Sequence, residues 1–196
     1  MNFDLTTRRS GYFKATRQLK WTPQNQPSEL TDVDPDVFKA YQHCINIGEV
    51  SMFESHLEPA VVLFNRAKLW ILADFLLDLT TANKVMDSLI DASNQLDTIL
   101  DEEDVTEIYA QTCEGSPLRK LVLDWLLYQD ATPTFSEEEV DVLPVELFMD
   151  CARECRQIMA NTALGASFEH VRMEASWMRS TCHYHQHDAE APPCVG

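Results

Sequence analysis

Apolar residues recur at three- and four-residue intervals along most of the chain, the spacing that lines one face of an α-helix. Within 1–20, Leu5, Tyr12, Phe13 and Leu19 predict a short helical start. The stretch 21–28 holds Pro23, Pro27 and several amides and reads as turn. Residues 30–33 have the composition of a short strand. Asp34-Pro35 then opens a helix, because proline at the first helical position has its φ preset and gives up no needed donor. Val37, Phe38, Tyr41, Cys44 and Ile45 form its apolar face, and Gly48 ends it. From 58 to about 94 the helical pattern occurs twice. The first segment is apolar nearly all round, which predicts central burial. The second carries one stripe, Leu79, Ala82, Val85, Met86, Leu89 and Ile90.

An acidic run at 97–104 marks a boundary. Asp104 followed by Glu107 has the spacing of a capping box, and the helix it opens is expected to close at Gly115. Ser116-Pro117 starts the next, with Leu118, Leu121, Val122, Trp125 and Leu126 inward. After an acidic loop at 132–141, Pro144 begins a longer helix with Leu147, Phe148, Cys151, Cys155, Ile158 and Met159 on one face. Ser167 is placed to cap a last helix that turns Phe168, Val171, Ala175 and Met178 inward. Beyond Arg179 the chain becomes rich in Cys, His and Pro. The pattern predicts three parts: 1–95, a helical region 96–180, and a tail 181–196.

Charge narrows the partners. The 196 residues carry a formal net charge of −17, with a pI near 4.5. Nucleic-acid binding needs a basic face that releases counterions, and an anionic membrane would repel this chain, so proteins are the expected partners. The first 25 residues are basic, with Arg8, Arg9, Lys14, Arg17 and Lys20 against Asp4 alone. Between 97 and 150 the only cations are Arg119 and Lys120, against fifteen acidic residues. That surface serves either solubility or the docking of a basic partner.

No apolar signal region precedes a small-residue cleavage site, and the apolar stretch 61–79 is broken by Asn65, Arg66, Lys68, Asp74 and Asp78. An intracellular protein of the cytoplasm or nucleus is expected, with its six cysteines as free thiols or metal ligands.

The chemistry on offer is sparse. Five dispersed glycines build no phosphate cradle, and none of the common hydrolase or metalloprotease motifs occurs. Cys151 and Cys155 lie four apart on a helix, a metal-ligand spacing, but among apolar neighbours they read as core. In the tail, Cys182 and Cys194 with two of the histidines His183, His185 and His187 could surround a zinc ion, and Cys182, His185, His187 and Cys194 are the candidate set. Four nitrogen or sulfur donors would close its coordination and leave no open position for catalysis. The alternative is a tail without fixed structure. A Cys182–His185 nucleophile lacks an orienting third residue, and no enzyme activity is expected.

Read in order, certain stretches resemble the second half of a BTB/POZ domain, in its fungal branch. They are Arg9-Ser10-Gly11-Tyr12-Phe13-Lys14-Ala15, Leu30-Thr31-Asp32-Val33-Asp34-Pro35-Asp36-Val37-Phe38-Lys39-Ala40-Tyr41, Ile47-Gly48-Glu49-Val50 and Leu69-Trp70-Ile71-Leu72-Ala73-Asp74-Phe75-Leu76. The match runs from about 5 to 90 and continues more weakly through Gly115-Ser116-Pro117-Leu118 and Leu143-Pro144-Val145-Glu146 to the Cys/His tail.

The resemblance implies an α+β fold that is predominantly α-helical: a partial BTB/POZ domain with few short strands, then a C-terminal helical bundle. It implies a scaffold or adaptor with Trp21, Phe38 and Tyr41 as interaction residues, and it adds weight to zinc in the tail. The strands and first helix that begin such a domain have no counterpart here, which argues against the usual homodimer. Adaptors of this family engage cullin-type ubiquitin ligases through a hydrophobic–x–Glu motif. At Trp21-Thr22-Pro23 the hydrophobic residue is present and the glutamate is not.

Overall fold

The computed structural model describes residues 8–18, 30, 33–50, 57–128, 141–163, 180–187 and 194, with the side chains of 17–18 and 161–163 excepted. The chain divides into two units, Met1–Leu96 and Asp97–Gly196. The architecture is predominantly helical, with no strand among the described residues. Leu30 and Val33, the ends of the expected strand, take no strand conformation, and the two residues between them lie outside the described set. The expected last helix at 167–179 lies outside it as well, as does nearly all of the loop at 132–141.

The first unit contains α1 (Gly11–Gln18), α2 (Pro35–Ile47), α3 (Pro59–Phe75) and α4 (Leu79–Leu96). Helix α2 forms as its caps dictate. The Asp34 carboxylate accepts from the Asp36 amide at 2.8 Å, Pro35 sits at the first position, and Gly48 takes φ 86°. Its buried stripe of Val37, Ala40, Tyr41, Cys44 and Ile45 faces α3 and α4. Helix α3 is the central piece, with Leu63, Ala67, Leu69, Trp70 and Ala73 essentially without exposed surface. Each such large apolar side chain stabilises the fold by roughly 1.5–3 kcal/mol through burial.

Helices α3 and α4 pack as a hairpin through a three-residue turn. Leu77 takes φ 55°, while the amides of Leu77 and Asp78 return to the Asp74 and Ala73 carbonyls, a Schellman arrangement built on leucine. Helix α1 docks on this turn. The Ser10 hydroxyl donates to the Leu76 carbonyl at 2.6 Å, and the Gly11 amide donates to that of Leu77. A Cβ at Gly11 would stand 3.0 Å from the Leu77 Cβ, so any larger residue would press on this turn.

The second unit contains α5 (Glu102–Gln111), α6 (Pro117–Tyr128), α7 (Val145–Ala163) and a 3₁₀ turn, Thr181–Tyr184. The cap of α5 is Asp101, whose carboxylate accepts from the Asp104 amide at 2.9 Å. Asp104, expected as the cap, lies inside the helix. Four consecutive acids from 101 to 104 offer several registers, and Asp101 engages the amide three residues on. Helix α6 is buried on nearly all faces and contacts α5, α7 and the 3₁₀ turn. Its Arg119 reaches back to the end of α5, donating to the carbonyls of Tyr109 and Thr112 and lying 4.4 Å over the Tyr109 ring. A cation there complements the negative helix terminus.

Helix α7 departs from its expected face. Leu147 and Ile158 are buried and Cys151 partly so, whereas Phe148, Cys155 and Met159 point outward. The apolar arc on this helix is wider than the strip that α6 covers. Burial pushes the Cys151 thiol up to about 11, with Cys155 adding to the shift. No described helix is long and apolar enough to cross a membrane.

Candidate metal centre

The tail is built around the short 3₁₀ turn. The Ser180 hydroxyl caps it by accepting from the Cys182 amide at 3.2 Å, and the His185 amide closes it on the Cys182 carbonyl at 3.1 Å. A 3₁₀ turn repeats every three residues, so Cys182 and His185 come to the same side. His187 follows two residues later in extended chain, where His185 has φ −83° and ψ 147°. Cys194 completes the group.

The four ligand atoms all lie within 4.8 Å of one another. Cys182 Sγ is 3.3 Å from His187 Nε2, His185 Nδ1 is 3.2 Å from Cys194 Sγ, and Cys194 Sγ is 3.9 Å from His187 Nε2. A tetrahedral zinc ion with ordinary Zn–S and Zn–N bonds sets its ligands roughly 3.3–3.8 Å apart. The three closest contacts lie near that range, and no two of the four atoms are more than 4.8 Å apart. The Cys194 amide also donates to Cys182 Sγ at 3.3 Å, a hydrogen bond that fixes the orientation of this sulfur. This group could hold a metal ion.

Between the ligands, Tyr184 points the other way. It is fully buried, and its hydroxyl donates to the Asp124 carboxylate on α6 in a short hydrogen bond. Asp124 is itself 5% exposed, and burial pushes its pKa up to about 6 against the lowering effect of that bond and of Lys120. The tail was expected as a separate part. Through Tyr184 it packs on α6 within the second unit. His183 stays outside the ligand set. Its ring stands edge-on to Tyr184, and burial with Lys120 lowers its pKa.

The remaining candidates scatter. Tyr41, expected as an interaction residue, has no exposed surface. Its hydroxyl donates to Asp78 Oδ2 at 3.0 Å, which makes it a core group of the first unit. Desolvation raises its pKa, and the Asp78 charge adds to this. Phe38 is half-buried, its ring stacked 6.2 Å from that of Tyr41. Trp21 lies outside the described residues. The expected core pair on α7 is split, with Cys155 exposed. The alternative nucleophile paired Cys182 with His185, but the shortest contacts join Cys182 to His187 and His185 to Cys194.

Sequence reasoning missed the Tyr184–Asp124 pair. Its signal was an aspartate inside the apolar run Leu121-Val122-Leu123-Asp124-Trp125-Leu126, a position that calls for a buried partner.

No protein-family model, no curated protein and no solved structure matches the chain.

Proposed function

We propose that the protein is a non-enzymatic protein–protein interaction module whose C-terminal unit is clamped by a structural zinc ion at Cys182, His185, His187 and Cys194. The observation that carries this reading is the convergence of two sulfurs and two imidazole nitrogens within 4.8 Å. Thiolate with imidazole suits zinc better than the hard, oxygen-seeking cations. Four protein donors leave no position for substrate, so the ion's role is to hold the fold.

The surface for a partner is the outer face of α7, where Val145 is 65% exposed, Met149 53% and Met159 72%. Exposed apolar side chains on the outer side of a helix suit helix-in-groove recognition. No disulfide joins the six cysteines, in keeping with a cytoplasmic or nuclear site of action.

For the first unit we keep the partial BTB/POZ reading, an α+β domain of which the helices are described. It is supported by the way the resembling stretches meet. Ser10 and Gly11 bond the Leu76-Leu77 turn, and Tyr41 bonds Asp78.

Elemental analysis of the purified protein tests the zinc. About one zinc per chain is expected, lost in the Cys182→Ser/Cys194→Ser variant; none in the parent protein refutes the clamp. Affinity capture with Val145→Asp/Met149→Asp tests the surface. Partners retained unchanged by this variant would place recognition elsewhere.

A further inference from the structure

We propose that Tyr184 and Asp124 are a positioning pair that couples metal binding in the tail to the seating of the tail on α6. The inference rests on the zinc reading above. Within one four-residue turn, Cys182 and His185 face the ligand group while Tyr184, between them, is driven inward to Asp124. Ordering the turn for the metal and seating the tyrosine are therefore the same conformational event. Each stabilises the other, and by linkage the effect is reciprocal.

The attachment is narrow. In the segment 181–187, Tyr184 alone is classed as buried, and the ligands are half-buried or exposed. Without the seat, the binding-competent arrangement becomes a minor state, and apparent affinity falls by the fraction of time it is populated. A buried, charge-assisted hydrogen bond is strong enough to change that fraction by about tenfold.

Metal affinity of the full chain, measured by competition with a chromogenic zinc chelator, tests the coupling. Tyr184→Phe keeps the ring and removes the bond, and its zinc affinity is expected to fall about tenfold. Asp124→Leu removes the acceptor while placing an apolar group in an apolar helix. It should weaken zinc by a similar factor. The double variant should match either single one, because both break the same bond.

Tyr109→Phe is the control. Its hydroxyl bonds Asp150 at 3.3 Å in the same unit but has no link to the tail, so zinc affinity should stay within twofold. If Tyr184→Phe and Asp124→Leu both bind zinc as the parent does, the coupling is refuted while the zinc clamp stands. If Tyr109→Phe weakens zinc equally, general destabilisation explains the effect and the coupling falls. A parent protein that takes up no zinc removes both the clamp and the coupling.

Discussion

Each unit buries a tyrosine against an aspartate, and the two pairs are held in different ways. In the first unit, Asp78 sits just before α4, where helix amides need an acceptor. It receives the Tyr41 hydroxyl at 3.0 Å, the Thr81 amide at 3.0 Å and the Thr81 hydroxyl at 2.8 Å. In the second unit, Asp124 lies in the middle of α6, where the backbone amides are already engaged in the helix, and Tyr184 supplies its side-chain hydrogen bond. A carboxylate at a helix start is satisfied by the helix itself. One in mid-helix depends on whatever the rest of the chain brings. The first pair is built into the helical hairpin, and the second hangs on a tail that a metal would fix.

The largest expected effect therefore comes from removing the metal. In zinc at about a thousandfold above its dissociation constant, binding stabilises the folded unit by about 4 kcal/mol. Chelation or Cys182→Ser/Cys194→Ser should lower the thermal midpoint of the second unit accordingly. Amide exchange in α2, α3 and α4 should be unchanged. Equal loss of protection in both units would erase the contrast between them.

Next in size is Asp78→Ala. It strips a cap and leaves the Thr81 amide and Tyr41 hydroxyl without this acceptor inside the protein, at a cost of about 2–4 kcal/mol. The loss should be independent of zinc. A denaturation midpoint that moves by less than the equivalent of about 0.5 kcal/mol would show that Asp78 is replaceable by solvent.

Asp124→Asn should act in the opposite direction. The folded-state pKa of Asp124 is raised from 3.8 to about 6. Its contribution to stability is thus fully present below about pH 4 and is lost as pH rises through about 6. Asparagine keeps an acceptor for Tyr184 and carries no charge to desolvate. In excess zinc, the variant should gain on the parent as pH rises from about 4 to 6, by at most about 3 kcal/mol, and level off above. Taking the difference between two proteins with the same ligands cancels the titration of the cysteines and histidines. Lys120 and Glu154 act on Asp124 in the parent and are unchanged in the variant. A difference that is flat with pH would mean that Asp124 is ionised at no cost.

The two pairs also mark how far the sequence was legible. Helix α2 could be read at both ends because its signals are local: Asp34, Pro35 and Gly48 each act on the backbone within a few residues. The four residues that cluster in the tail could be named because cysteine and histidine at close spacing are chemically distinctive. Tyr41 was misplaced, since an aromatic on an apolar face looks the same whether it meets a partner or the core. What distinguishes the cases is Asp78, thirty-seven residues away. Asp124–Tyr184 spans sixty residues and leaves only half a trace, an acid in an apolar run. The cap of α5 slipped by three residues because acids at 101 to 104 are locally equivalent, and only the folded helix shows which one accepts.

The same ambiguity gives the smallest prediction, on α7. Leu147, Cys151, Ile158, Phe148 and Met159 belong to one broad apolar arc in the sequence, yet Ile158 is 9% exposed and Met159, its neighbour, 72%. Ile158→Ala removes packed methylenes and should cost about 2–4 kcal/mol. Met159→Gln should change stability by no more than about 0.5 kcal/mol, because it removes no buried contact. Stability and recognition would then separate on adjacent residues, with Ile158 serving the core and Met159 the surface offered to a partner. A Met159→Gln protein that loses as much stability as Ile158→Ala would mean that the outer face is covered within the chain itself. The apolar arc would then be core throughout, and the interaction surface would have to be sought on another element.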